Sequence, residues 1–308
     1  MSFKCNYKSN YIQSNNILTH FSTQYSWCIL SSTEEKIKTK MTSIGVPLKQ
    51  WDIQINYGIK TGCNEAFIIN KLERQNILNN CHSTEELNKT DALIRPILRG
   101  RDLKPYGYQF AEMYLIATFP SRHYDIEDYP AIKDYLLSFG RKRLEQTGKT
   151  YVEGSVHFKA RKKTNNKWYE TQDSISYWDL FYQSKICWKA VGRNLAFAVV
   201  DAGIFLTAPA SFIVAGKYNS YLMLFFSSAV GRYYIYKNSD TTGAGDIMLN
   251  IQSLIKFPIP KPNDKILKIA DNLLLQRSTN LISDDVIDQF VYKQYNMSKD
   301  EIEYIKNH

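Results

Sequence analysis

Cysteine is scarce in this chain. The five present, at positions 5, 28, 63, 81 and 187, form no Cys-x-x-Cys pair and have no histidine at ligand spacing, which argues against a zinc site and a disulfide framework and fits reduced thiols. Long apolar runs are lacking too. Leu195 to Ala215 is interrupted by Asp201 and Pro209, and Leu222 to Val230 is too short to span hydrocarbon. The start is polar and rich in Asn and Ser, with no apolar core of a signal peptide, and no internal repeat can be traced. A cytoplasmic protein with no membrane partner is expected.

What is present is a basic chain of 308 residues, long enough to bury a sizeable core, with 39 Lys and Arg against 30 Asp and Glu and a net charge of +9. The excess is local. Arg141 to Arg193 holds twelve basic and five acidic residues, whereas Asn263 to His308 holds six basic and eight acidic ones. A polyanion is therefore expected to meet the middle of the chain.

Periodicity divides the chain. Ser32-Thr33-Glu34-Glu35 reads as a capping box for a helix with Ile37, Met41 and Ile44 on one face, ended by Gly45 and Pro47. From Trp51 the pattern turns to period two through Ile53 and Ile55, and Phe67-Ile68-Ile69 follows the glycines Gly58 and Gly62, which predicts two strands around a Gly-dependent loop. Tyr129 to Phe139 reads as a helix opened by Pro130 that delivers Arg141, Lys142 and Arg143 at its end. Short apolar runs at 186–188, 197–200, 204–206 and 212–214 predict a sheet, and one helix is expected from about Asn219 to Tyr236. Pro258 to Pro262 reads as a stiff linker, followed by helices over 266–276 and 284–295 and a last one capped by Ser298 and Glu301. The expected fold is α+β: a mixed-sheet domain over 51–262, with a helical lead-in over 1–50 and a helical tail over 263–308.

Several clusters offer chemistry. The loop Lys60-Thr61-Gly62-Cys63-Asn64 sets a cation and two polar side chains beside a glycine that admits close approach, although such turns also form without a function. Arg95, Arg99 and Arg101 would share one face of an extended segment, and their guanidinium forks suit phosphate or guanine; pairing with Asp102 is the structural alternative. Lys159, Arg161, Lys162 and Lys163, followed by Lys167, Trp168 and Tyr169, mix cations with rings, as do Arg193 and the aromatics Tyr177, Trp178 and Tyr182 around the same basic region. A solvated basic loop would look the same. The stretch Asn238 to Asp246, with its Gly243-Ala244-Gly245, lacks the strand and helix of a dinucleotide fingerprint and reads as a flexible loop. Asp91 and Asp102-Leu103-Lys104 are spaced tolerably for a metal-dependent nuclease, but the proline expected before the first aspartate is absent.

Ile55 to Ile69, answered by Leu93 to Leu103, resembles the opening of the TaqI-like C-terminal specificity domains of type IIG restriction-modification enzymes. The likeness continues in order through Tyr129 to Leu136 with Gly148-Lys149, Trp178 to Phe181 before Lys185 to Trp188, Tyr221 to Ser228, Phe257 to Pro260, and Ile287 to Tyr292 with Tyr295 to Ile302. It implies a target-recognition domain that grips double-stranded DNA, reads bases through the major groove and helps position a flipped adenine for N6 methylation. No Asn-Pro-Pro-Tyr or Asn-Pro-Pro-Phe occurs and no Gly-rich cofactor turn is convincing, so no catalytic residue and no cofactor or metal is assigned to this chain. S-adenosylmethionine and magnesium are expected instead in catalytic domains that precede it in cis or join it in trans, so that the chain is either a C-terminal piece or a separate specificity subunit. A metal-dependent nuclease using Asp91, Asp102 and Lys104 is the alternative from another class, and an unrelated protein-binding module is the third and blander one.

Overall fold

The computed structural model describes residues 31–193 and 195–307. The irregular start expected before Ser31 lies outside them. Helix α1 (Ser32–Ile44) turns Ile37 and Met41 inward, and its capping box sits one residue earlier than expected: Ser31 Oγ accepts from Glu34 N at 3.2 Å while Ser31 N donates to Glu34 Oε2 at 2.8 Å. Both serines have a glutamate three residues on, so the motif alone does not choose between them. After β1 (Val46–Pro47) and β2 (Gln54–Tyr57) the chain makes β3 (Ile68–Asn70), α2 (Lys71–Asn79), α3 (Thr84–Leu93), β4 (Ile94–Leu98) and β5 (Met113–Ile116). Helix α4 (Pro130–Leu137) starts at its proline as expected. An exposed hairpin, β6 (Thr150–Glu153) with β7 (Val156–Lys159), then precedes the strands β8 (Lys185–Trp188), β9 (Phe197–Val200), β10 (Phe205–Leu206) and β11 (Ser211–Val214).

Two four-stranded sheets organise these strands, and the fold is α+β. The first runs β9-β8-β11-β2, antiparallel throughout, with Ile186 opposite Val199 and Ile213 and with Ile213 opposite Ile55. The second runs β10-β4-β5-β3, with β10 parallel to β4 and the other pairs antiparallel. The strands flanking the Lys60 loop thus belong to different sheets. Every residue of β8 is buried, because both faces of its sheet are covered. Ile186, Trp188 and Ile213 face a helical core, while Cys187 and Phe212 face a second core shared with Ile97, Leu115 and Phe205. The sheets meet at Ile59, whose N–H donates to Leu206 O at 2.7 Å and whose carbonyl accepts from Ala208 N at 3.0 Å. Gly58 permits that seam: a Cβ there would lie 2.4 Å from the Thr207 carbonyl carbon.

The single helix expected from Asn219 is two, α5 (Asn219–Ser227) and α6 (Ala229–Asn238). Ser228 breaks it by adopting extended backbone angles and capping the second helix, its Oγ accepting from Gly231 N at 3.1 Å, while Asp288 accepts from Ala229 N at 2.6 Å. The proline-rich stretch is not a free linker. Its first residues form β12 (Pro258–Ile259), paired with β1, and the carbonyls of Pro258 and Pro260 accept from the buried hydroxyls of Tyr295 and Tyr221 at 2.6 and 2.9 Å. Prolines lack a ladder donor, so side chains complete the pairing. Helices α7 (Asp264–Ser278), α8 (Asp284–Gln294) and α9 (Lys299–Asn307) pack on α1, α5 and α6 in the same core. Leu224 and Phe225 are fully buried there, and each such side chain contributes about 1.5–3 kcal/mol.

One cation is placed inside this frame. Lys185, fully buried at the start of β8, donates from Nζ to the carbonyls of Phe181, Gln183 and Asp201 at 2.9, 2.9 and 3.0 Å. Burial pulls its ammonium down to about 8 from 10.5, against a weaker opposing pull from Cys187 and Asp201. Between about pH 8 and 10.5 the unfolded chain therefore holds a proton that the folded chain has released, and stability contributed by this site rises with pH in that window. Urea unfolding of the wild type and Lys185→Met should show the wild type gaining on the variant from pH 8 to 10; a constant difference would contradict the assignment.

Candidate nucleic-acid interface

The Lys60–Asn64 loop and the Lys159–Lys163 segment, distant in sequence, together line one open groove of about 800 Å³. Its lining contains six basic residues and a single carboxylate, that of Glu65, which is paired with Arg143. Lys60, Lys159, Lys162 and Lys163 are exposed, and among the described residues none has a carboxylate within 4 Å. They hold a positive field with no internal partner to neutralise it.

Arg161 has a different role from its neighbours. It is only 4% exposed and donates to four backbone carbonyls: Nε to Leu144 at 2.7 Å, Nη1 to Thr61 and Glu170 at 2.8 and 2.7 Å, and Nη2 to Trp168 at 2.6 Å. Its guanidinium also lies 4.9 Å from the Phe67 ring centroid. Burial draws its pKa down to about 10, so it stays charged at neutral pH. Gly62 admits this arrangement, with φ at +78° and an added Cβ 3.0 Å from Arg161 Cδ. Thr61 is likewise internal: its hydroxyl donates to Asn64 Oδ1 at 2.7 Å and accepts from Cys63 N at 3.2 Å, which fixes the loop and leaves Lys60 and Asn64 exposed.

The other expected residues separate. Arg95, Arg99 and Arg101 do not share a face, because the strand ends at Leu98 and a 3₁₀ turn over Gly100–Asp102 breaks the alternation. Arg99 grips Asp102 with two bonds of 2.9 Å; burial raises the Asp102 carboxyl, but Arg99 outweighs it and holds the group below its ordinary range. Arg101 is exposed, and Arg95 turns to the Tyr182 ring at 5.5 Å. Arg141, Lys142 and Arg143 are exposed at one end of the basic region, near Glu145, Glu153 and Glu65 respectively. Lys167 lies over Tyr169 at 5.5 Å, and half-buried Trp168 carries Arg141 at 5.7 Å. Arg193 reaches Asp246 at 3.7 Å and lines a different cavity, beside the C-terminal helices. Asp91 is held by Arg74 and Asp102 by Arg99, and no group of three His, Cys, Asp or Glu able to hold a metal occurs among the described residues. No helix among them is long and apolar enough to cross a membrane. Arg122, which lies over Trp178 at 4.0 Å, was not foreseen; its ring partner is far along the chain and no motif joins them.

No protein-family model matches the sequence. The chain is 22% identical over 292 residues to the type II methyltransferase M.BstVI of Geobacillus stearothermophilus, an alignment that covers 91% of this chain and 46% of that protein. The chain thus spans about half the length of this curated relative. Among solved structures, the type IIL restriction-modification enzyme MmeI, determined in complex with DNA, shares the fold at a TM-score of 0.53 and 12% identity, over 85% of this chain and 36% of MmeI. The type IIG restriction endonuclease BpuSI aligns at a TM-score of 0.45 and 12% identity, over 86% of this chain and 33% of that one.

Arg161→Met should leave the carbonyls of Thr61, Leu144 and Trp168 without a donor, Glu170 keeping its bond from Gln146 Nε2 at 3.1 Å, and cost about 3 kcal/mol or more in urea unfolding, before any effect on binding. A loss below about 1 kcal/mol would show that the guanidinium does not hold the loop.

Proposed function

We propose that this chain is the DNA-recognition part of a restriction-modification enzyme of the type IIG kind, of the TaqI-like specificity class. It holds duplex DNA along the groove lined by the Lys60–Asn64 loop and the Lys159–Lys163 segment, while a methyltransferase domain in cis or in trans acts on an adenine. The observation that carries this reading is the convergence of four exposed lysines without carboxylate partners on one groove. Such cations suit successive backbone phosphates, displacing condensed counterions as they bind. The β6–β7 hairpin ends at Lys159 on the edge of this groove, and a two-stranded ribbon is one of the shapes that a major groove admits. Similarity to a type II methyltransferase over most of the chain supports the reading, as does a fold shared with MmeI, whose structure was determined with DNA. S-adenosylmethionine and magnesium belong, on this reading, to the catalytic domains.

Phosphate contacts position a protein on DNA, and base contacts specify the site. On that division Lys60, Lys159, Lys162 and Lys163 supply grip, with Arg101 and Arg141 to Arg143 extending it, and Asn64 is the groove residue whose amide suits a base edge.

The double variant Lys159→Glu/Lys162→Glu tests this. Both side chains are exposed, so thermal unfolding should be unchanged. Affinity for a duplex at low salt should fall about tenfold or more, and the slope of log affinity against log salt should shrink by about 2. Unchanged affinity and slope would remove the groove from the account.

A further inference from the structure

A separate cleft of about 340 Å³ opens between the end of α3, the turn at Pro120–Arg122 and the turn at Trp178–Tyr182. Its cations are set against rings. Arg122 lies 4.0 Å from the Trp178 centroid and 5.9 Å from that of Tyr124, and Arg95 lies 5.5 Å from that of Tyr182. Among the described residues neither arginine has a carboxylate within 4 Å, and no carboxylate lines the cleft. Lys89, the third cation, is paired with Glu85 at 2.7 Å. Tyr182 is 42% exposed and stands edge-on to Trp178 at 6.0 Å and to Phe205 at 5.8 Å, so its neighbours hold it upright with Arg95 over its ring and part of its surface open.

This combination differs from the groove described above, which is lysine-rich and has no aromatic lining residue. Arginine planes and aromatic rings both accept a stacked base, and a guanidinium without a carboxylate partner accepts a phosphate through a bidentate fork. The space is far too small for a duplex and matches one base with its sugar and phosphate. We propose that this cleft binds a single nucleotide unit, an unstacked base with its 5′-phosphate. The base lies against Tyr182 and the outer face of Arg122, and the phosphate lies between Arg95 and Arg122. Stacking dominates and fixed base-edge partners are few, so the site tolerates different bases. Where the nucleotide comes from a DNA strand, the proposal rests on the DNA-recognition reading; a free mononucleotide offers the same chemistry without it.

The test uses the full chain and two probes. Tryptophan emission is followed during titration with AMP, with phenyl phosphate as a control, and anisotropy is measured with a labelled duplex carrying one unpaired adenosine and with its fully paired counterpart. AMP is expected to quench emission saturably, with the response lost in Trp178→Phe, and the duplex with the unpaired base is expected to bind about fivefold or more tightly than the paired one. Arg122→Ala and Tyr182→Ser should each weaken AMP binding and the preference about tenfold while leaving the paired duplex unaffected. AMP binding without a duplex preference assigns the free nucleotide as ligand, and a variant-sensitive preference assigns the strand. Absence of both responses overturns the proposal, as does phenyl phosphate binding as well as AMP, or variants that match the wild type. Failure of the chain to bind any duplex would sink the recognition reading alone, since the AMP titration still decides on the cleft.

Discussion

The site depends on one buried guanidinium. Arg161 satisfies four carbonyls on three segments, those of Thr61, of Leu144, and of Trp168 and Glu170, and so locks the glycine loop, the turn after α4 and the basic segment into one rigid wall. A charge held away from solvent is costly unless its donors are matched, and here four of the five guanidinium N–H groups donate to carbonyl oxygens. With the wall fixed, Lys159, Lys162 and Lys163 flank an internal arginine and point their charge outward. The ordering entropy of the groove is thus met at folding and not at binding.

The frame behind that wall is a sheet with two buried faces. Alternation along β8 sends Ile186 and Trp188 into one core and Cys187 into the other, and Lys185 at its edge closes the sheet end by bonding three carbonyls. The Gly58–Ile59 seam then joins the two sheets at the entrance to the Lys60 loop.

Much of this was legible in the residues. The period-two run to Ile55, the apolar runs that became β8 to β11, the proline at the start of α4 and the Ser298–Glu301 box are local signals, and local signals survive folding. The misreadings had nonlocal causes. The break at Ser228 is reinforced by Asp288 from another helix, and Pro258 and Pro260 are anchored by tyrosines from α8's end and from α5. In the site, composition marked the basic segment as a whole but did not separate Arg161 from Lys162, since adjacent cations look alike until burial divides them. Arg95 and Arg99 part because Asp102 captures one and Tyr182 lies beneath the other. Arg122 meets Trp178 only through the tertiary fold.

The central claim is that an internally braced basic groove grips duplex DNA and allows its sequence to be read. The most direct measurement is retention of a randomised duplex pool by the intact chain at two salt concentrations, with sequencing of what is held. The account predicts retention that weakens steeply as salt rises and a bound fraction enriched in one short motif. Retention absent at low salt, or indifferent to salt, would contradict it.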